Sequence, residues 1–176
     1  MTTLDQPLFS IAKKLQWLLE EFGINNFVFV LGSLHVEMAM LSTLGDWFQD
    51  SSWLELLSGA KVMGTGNQAL LGGKEVSKTK YCHQVNAHVS NCLMKTAYEE
   101  AVRHGESADV DMESCRKNME KIHLTFQHWS LCLRMEMALF MFTRSIRSRN
   151  FVLYKYATDD LLKWMVGLDH FHYAQW

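Results

Sequence analysis

The stretch Ile122–Phe142, IHLTFQHWSLCLRMEMALFMF, decides the fold. Ile122, Phe126, Trp129, Leu133, Met137 and Phe140 recur at spacings of three and four and form one helical stripe. Leu124, Leu131, Met135, Ala138 and Phe142 form a second. A helix that is apolar over most of its circumference has to be surrounded by other elements, so this segment reads as the central helix of a mainly α domain. Its most apolar part, Leu131 to Phe142, is about two-thirds of the length needed to cross a bilayer, and Arg134 and Glu136 interrupt it, so no membrane span is expected.

The neighbouring segments supply the surrounding helices. The pattern predicts one continuous helix over Asp111 to Arg147, a last helix over Asn150 to Val166 broken at Gly167, and a long helix over Lys74 to His104. A polar, acidic linker at Gly105 to Asp111 separates the two long helices. Five of the ten glycines fall between Gly59 and Gly73, and the only proline is Pro7, so chain breakers are concentrated in one loop. Within that loop GTGNQALLGG, residues 64–73, has no lysine at P-loop spacing and is a weak match to a phosphate cradle.

Further upstream, a short helix is expected over Trp53 to Leu57. Another, over Ser33 to Gln49, has Ser33 as N-cap and Leu34, Met38, Leu41, Leu44 and Phe48 on one face. Asn25 to Leu31, NNFVFVL, is the one clear strand signal, and being apolar on both faces it should be buried. Gln6 to Phe22 places Leu8, Ile11, Leu15, Leu18, Leu19 and Phe22 on one helical face, with Pro7 in the first turn and Gly23 as the stop. The expectation is a mainly α fold of about six helices with a small β element near residues 25–31. It forms a single domain over 1–176: a strand-bearing part (1–58), the Gly-rich loop (59–73) and a helical part (74–176).

Composition restricts the function classes. The 17 Lys and Arg balance 19 Asp and Glu for a net charge of -2, so a nucleic-acid partner would need a local basic patch. Residues Met1 to Gln6 carry neither a basic stretch nor an apolar core of a secretory signal, and the four cysteines read as buried thiols in a reducing compartment, the nucleus or the cytoplasm.

Several clusters carry chemistry. Asp5 stands directly before a helix, where a carboxylate caps free N–H groups. His35 and Glu37 follow the strand, where α/β sheets gather ligand-binding residues, and Asp169, His170 and His172 crowd together near the end. Acidic residues brought together at strand ends are what two Mg²⁺ ions need for phosphoryl transfer, which makes Asp5, His35, Glu37, Asp169 and His170 the candidate catalytic set. A competing reading uses zinc: His88 with Cys92 and His128 with Cys132, each at i, i+4, could close a Cys2His2 site between two helices. Arg144, Arg147 and Arg149 could grip DNA phosphates or complement the end of the central helix. Eleven methionines and six tryptophans suit a helical module that binds a protein partner or itself.

Four segments together resemble a large family of uncharacterised animal proteins that look transposon-derived and carry a domain of unknown function. They are LDQPLFSIAKKLQW at Leu4 to Trp17, FVFVLGSLHVEMAMLSTLGDW at Phe27 to Trp47, HQV at His83 to Val85, and LDHFHYAQW at Leu168 to Trp176. The resemblance implies an apolar strand leading into Asp5, a histidine at His35 after a glycine pair, and an aspartate-histidine pair at Asp169 and His170. An RNase H-like transposase core with a helical insertion would have this arrangement. The chain departs from the pattern at Gly32-Ser33 for Gly-Gly, at Asp50-Ser51-Ser52 for a glycine-rich turn, and at Phe171, His172 and Gln175 for Thr, Asn and Arg. Members usually continue on both sides. The expectation is therefore a mobile-element-derived intracellular fragment without catalysis of its own, whose ancestral role was metal-dependent phosphoryl transfer on DNA.

Overall fold

In the chain's computed structural model the described residues are 2–64, 68–73, 75–104 and 111–168. Seven α-helices and a two-stranded parallel sheet are found among them. Strand β1 (Thr2–Leu4) leads into helix α1 (Gln6–Leu18), which returns the chain to strand β2 (Phe29–Leu31), and the strands pair in register from Thr2 with Phe29 to Leu4 with Leu31. The mainly α expectation and the β element near residue 30 both hold. The additional feature is β1, only three residues long, which makes β1–α1–β2 a β-α-β unit.

Helices α2 (Ser33–Phe48) and α3 (Trp53–Gly59) follow, then α4 (Val76–Arg103), α5 (Met112–Ile122), α6 (Leu124–Arg147) and α7 (Phe151–Gly167). Helix α6 is central, packing against α2, α4, α5 and α7. Its core side is the later part of the second stripe: Met135, Ala138 and Phe142 are buried, together with Cys132 and Leu139, whereas Leu124 of the same stripe and Ile122 and Met137 of the first are exposed. Around it lie Met40, Leu41, Leu44 and Phe48 of α2, Trp53 of α3 and Leu161 and Met165 of α7, all in one continuous core.

Four expectations need correction. Helix α1 ends at Leu18, where Leu19 is extended (φ -126°, ψ 115°), and does not run on to Phe22 and Gly23. The helix expected over Asp111 to Arg147 is two helices, because His123 is extended (φ -123°, ψ 106°) and ends α5 while starting α6. No glycine or proline marks the break. It is held by tertiary contacts instead: Arg116 and Glu120 of α5 both hydrogen-bond the Ser130 hydroxyl of α6, folding α5 back onto α6. The N-cap of α2 is Gly32, with Ser33 the first helical residue. Finally, the strand is half-buried, and Phe27 and Val28 before it are exposed, because the described sheet has only two strands.

The glycine-rich loop is a packing joint. Its Leu71 carbonyl crosses α2 so closely that a Cβ at Gly45 would lie 1.8 Å from the oxygen. Gly73 adopts φ +63° against the Met38 carbonyl of α2, a conformation that favours glycine. Residues 65–67 of the suggested phosphate cradle lie outside the described residues.

Candidate functional site: a basic groove over a polar helix junction

Helices α2, α4 and α6 meet at a polar junction built on Glu37. Its side chain is 11% exposed, and its Oε2 accepts from Lys80 Nζ at 2.8 Å. Its Oε1 accepts from the Thr143 hydroxyl at 3.1 Å. Glu37 thereby ties α4 and α6 to α2 and fixes the root of Lys80. Above this junction lies a groove of about 400 Å³ between α4 and α6, lined by Lys80, Gln84, Thr143, Arg144, Arg147 and Ser148, with Phe140 as its aromatic wall. Neither Arg144 nor Arg147 forms an ion pair with another described residue. Three cations face one carboxylate and about half a negative charge from the C-terminus of α6, so the groove carries an excess of roughly 1.5 positive charges. Arg149 is not among the lining residues; it takes φ +54° just past the helix end.

A second polar cluster lies deeper, between α4 and α6. His83 Nδ1 and Glu136 Oε1 are 2.8 Å apart, both side chains are 0% exposed, and Asn86 Nδ2 donates to both carboxylate oxygens at 3.0 and 3.1 Å. The imidazole stacks on Trp53 at a centroid distance of 4.6 Å and is flanked by Phe48. Burial pushes the Glu136 carboxyl above its ordinary range, opposed by the bonds from His83 and Asn86. No substrate can reach a dyad sealed in this way, so its role is to lock α4 onto α6. The sequence carries its signal: Glu136 is a charged residue in the middle of an otherwise apolar helix, and such a residue has to be paired when buried. Its partner could not be read in the same way.

Of the catalytic set, Asp5 and His35 lie by the two strand ends, and Glu37 is engaged elsewhere. Asp5 is the N-cap of α1, its Oδ1 accepting from Leu8 N at 3.2 Å. It follows β1 as the resemblance implied, and Gly32 donates its N–H to the Leu4 carbonyl at 2.7 Å, so the ends of both strands adjoin. His35 is half-buried in the first turn of α2, near the strand ends: a Cβ at Gly32 would lie 3.2 Å from its Cδ2. Glu37, two residues on along the same helix, is turned to a different face and engaged by Lys80 and Thr143. Asp169 and His170 lie outside the described residues.

Within each suggested zinc pair the side chains meet: Cys92 Sγ is 3.8 Å from His88 Nε2, and Cys132 Sγ is 3.6 Å from His128 Nε2. The first pair is exposed on α4, whereas His128 stacks on Trp47 and Cys132 is buried. Burial, reinforced by the Glu136 charge, pushes the Cys132 thiol up to about 12. Among the described residues no group of three or more His, Cys, Asp or Glu side chains is placed to hold a metal ion.

A helical domain with a short β-α-β start, a polar helix junction and a basic groove is the class that the fold defines. The family model described as a domain of unknown function (DUF8702) matches residues 1–124, and the chain belongs to that family. The matched region runs from the β-α-β unit to the first residue of α6. Neither a curated protein nor a solved structure matches the chain. No helix among the described residues is long and apolar enough to cross a membrane.

Proposed function

We propose that this chain is a mobile-element-derived, intracellular module that holds DNA by its phosphate backbone and performs no chemistry of its own. The observation that carries the reading is the groove lined by Lys80, Arg144 and Arg147, whose positive excess lies on a chain of net charge -2. Phosphate contacts of this kind position a nucleic acid without reading its sequence, and three of them suit weak, non-specific binding. The resemblance at Leu4–Trp17 and Phe27–Trp47 supports the ancestry, and the adjoining ends of β1 and β2 near Asp5 and His35 support an ancestral phosphoryl-transfer site of RNase H-like type. Asp5 as a helix cap and Glu37 as a buried junction support the loss of that chemistry.

Fluorescence anisotropy with a labelled 20-base-pair duplex tests the reading. Binding is expected at 50 mM salt, and Arg144→Ala and Arg147→Ala should each reduce the slope of log K against log salt by about 1. Absence of binding at low salt, or a slope that both variants leave unchanged, overturns it.

A second reading, self-association, is favoured by the outer face of α1. Leu8, Ile11, Leu15 and Leu18 are 38 to 78% exposed and spaced three, four and three apart. That spacing is symmetric about Lys13, so the stripe is self-complementary when two copies of α1 pair antiparallel. Sedimentation analysis across a hundredfold concentration range should show a monomer–dimer equilibrium that Leu15→Lys abolishes. A monomer throughout removes this reading.

A further inference from the structure

Between the β-α-β unit and α7 lies a cavity of about 280 Å³ that neither the groove nor the polar clusters use. Its walls are apolar and come from four elements: Phe9 of α1, Leu31 of β2, Val36 of α2, and Leu161 and Met165 of α7. Three polar side chains interrupt them, those of Lys13, Thr158 and Tyr154. Lys13 of α1 lines the cavity; its Nζ donates to Gln16 Oε1 at 3.0 Å and lies 5.6 Å from the centroid of the Phe9 ring, and no carboxylate of the described residues pairs with it. Gln16 is neutral, so the ammonium charge at this wall has no opposite charge beside it. Thr158 of α7 is the second: its hydroxyl oxygen is buried and has no hydrogen-bond partner among the described residues.

A cavity with apolar walls and one uncompensated cation is complementary to an amphiphile whose head group is an anion. We infer that this cavity is a binding site for a small monocarboxylate with an apolar tail. The apolar tail displaces water from the Phe9, Leu31 and Leu161 walls, and the carboxylate supplies the negative charge that Lys13 lacks. The volume lies at the lower edge of ligand pockets, roughly 300 to 1,000 Å³, so a medium-length chain fits better than a long fatty acid. An amine of the same length would meet Lys13 with like charge, and an alcohol would leave the charge unanswered. The inference is independent of DNA binding, because the cavity shares no lining residue with the groove.

Titration calorimetry with octanoate, octanol and octylamine tests it on the whole chain. Octanoate is expected to bind at least tenfold tighter than octanol, and octylamine weaker than both. Lys13→Met should remove the preference of octanoate over octanol. Leu162→Trp, at a partly exposed lining position, should fill the cavity and abolish binding of all three. No octanoate binding by the wild-type protein, equal affinity for octanoate and octylamine, or a preference that survives Lys13→Met overturns the proposal. Lys13 is surface-accessible and its substitution leaves the core intact, so this arm holds even if Leu162→Trp fails to fold.

Discussion

The β1–α1–β2 unit buries only two apolar side chains, whereas the helical body around α6 encloses a core, although its rim leaves Leu124 and Phe151 80 and 76% exposed. In the body, even carboxylates are enclosed and satisfied: Glu136 receives bonds from His83 and Asn86, and Glu37 from Lys80 and Thr143, although the far nitrogen of His83, Nε2, is buried without a partner among the described residues. In the N-terminal unit, ordinary apolar residues stay in water: Trp17, Leu18 and Ile24 are 69, 78 and 71% exposed. Only Phe9 and Ala12 of α1 are buried, on a face adjoining the longer apolar stripe. Hydrophobicity alone therefore does not decide burial. It depends on what the fold brings alongside, and a two-stranded sheet covers one side of one helix.

The contrast can be broken most severely at Glu136. Glu136→Ala leaves His83 and Asn86 without their acceptor inside the core and should cost about 3 to 5 kcal/mol in urea denaturation. Its pH dependence follows from the raised carboxyl. A carboxyl whose pKa is higher in the folded chain contributes stability that is complete below the unfolded value near 4.5 and is lost as pH climbs through the folded value. Relative to Glu136→Gln, which cannot titrate, the wild-type protein should lose stability as pH rises above about 4.5. A difference that grew in favour of the wild-type protein with rising pH would show instead that His83 holds the carboxylate charged.

A smaller effect is expected at Gly45, which joins the body to the glycine-rich loop. Alanine normally favours a helix interior, but here its Cβ would collide with the Leu71 carbonyl, so Gly45→Ala should destabilise by about 1 to 3 kcal/mol. A gain in melting temperature would mean that the loop yields easily. In the N-terminal unit, Asp5→Ala removes the cap of α1 and should cost about 1 kcal/mol, whereas Asp5→Asn, which still accepts the Leu8 bond, should cost less. The smallest effect belongs to Leu18→Lys: at 78% exposure it should stay within about 0.5 kcal/mol of the wild-type melt at low protein concentration. A large loss there would erase the distinction between the two regions.

The sequence made the helices legible because each has a three-four repeat of apolar residues, and the Arg144 and Arg147 side of the groove because both lie in the last turn of one helix. Lys80 was not legible as their companion, since it belongs to α4 and reaches the groove by long-range packing held by Glu37. For Glu37 the residue could be singled out but not its part. Its carboxylate suggested a strand-end site with His35, and helical geometry instead turns the two to different faces. The break at His123 left no trace either, because a stitch from Arg116 and Glu120 to Ser130 holds it, with no turn-forming residue at the break.

What the sequence determined by itself is local: the helical periods, the cap at Asp5, the glycine concentration and the central place of α6. Each follows from interactions between residues a few positions apart, or from how much of a helix must leave water. The tertiary structure alone decided which apolar stripe became core, which helix Glu136 was paired to, and how Lys80 joined two arginines in one groove. Those outcomes depend on which faces meet, and a stripe on one helix carries no record of the surface that will cover it.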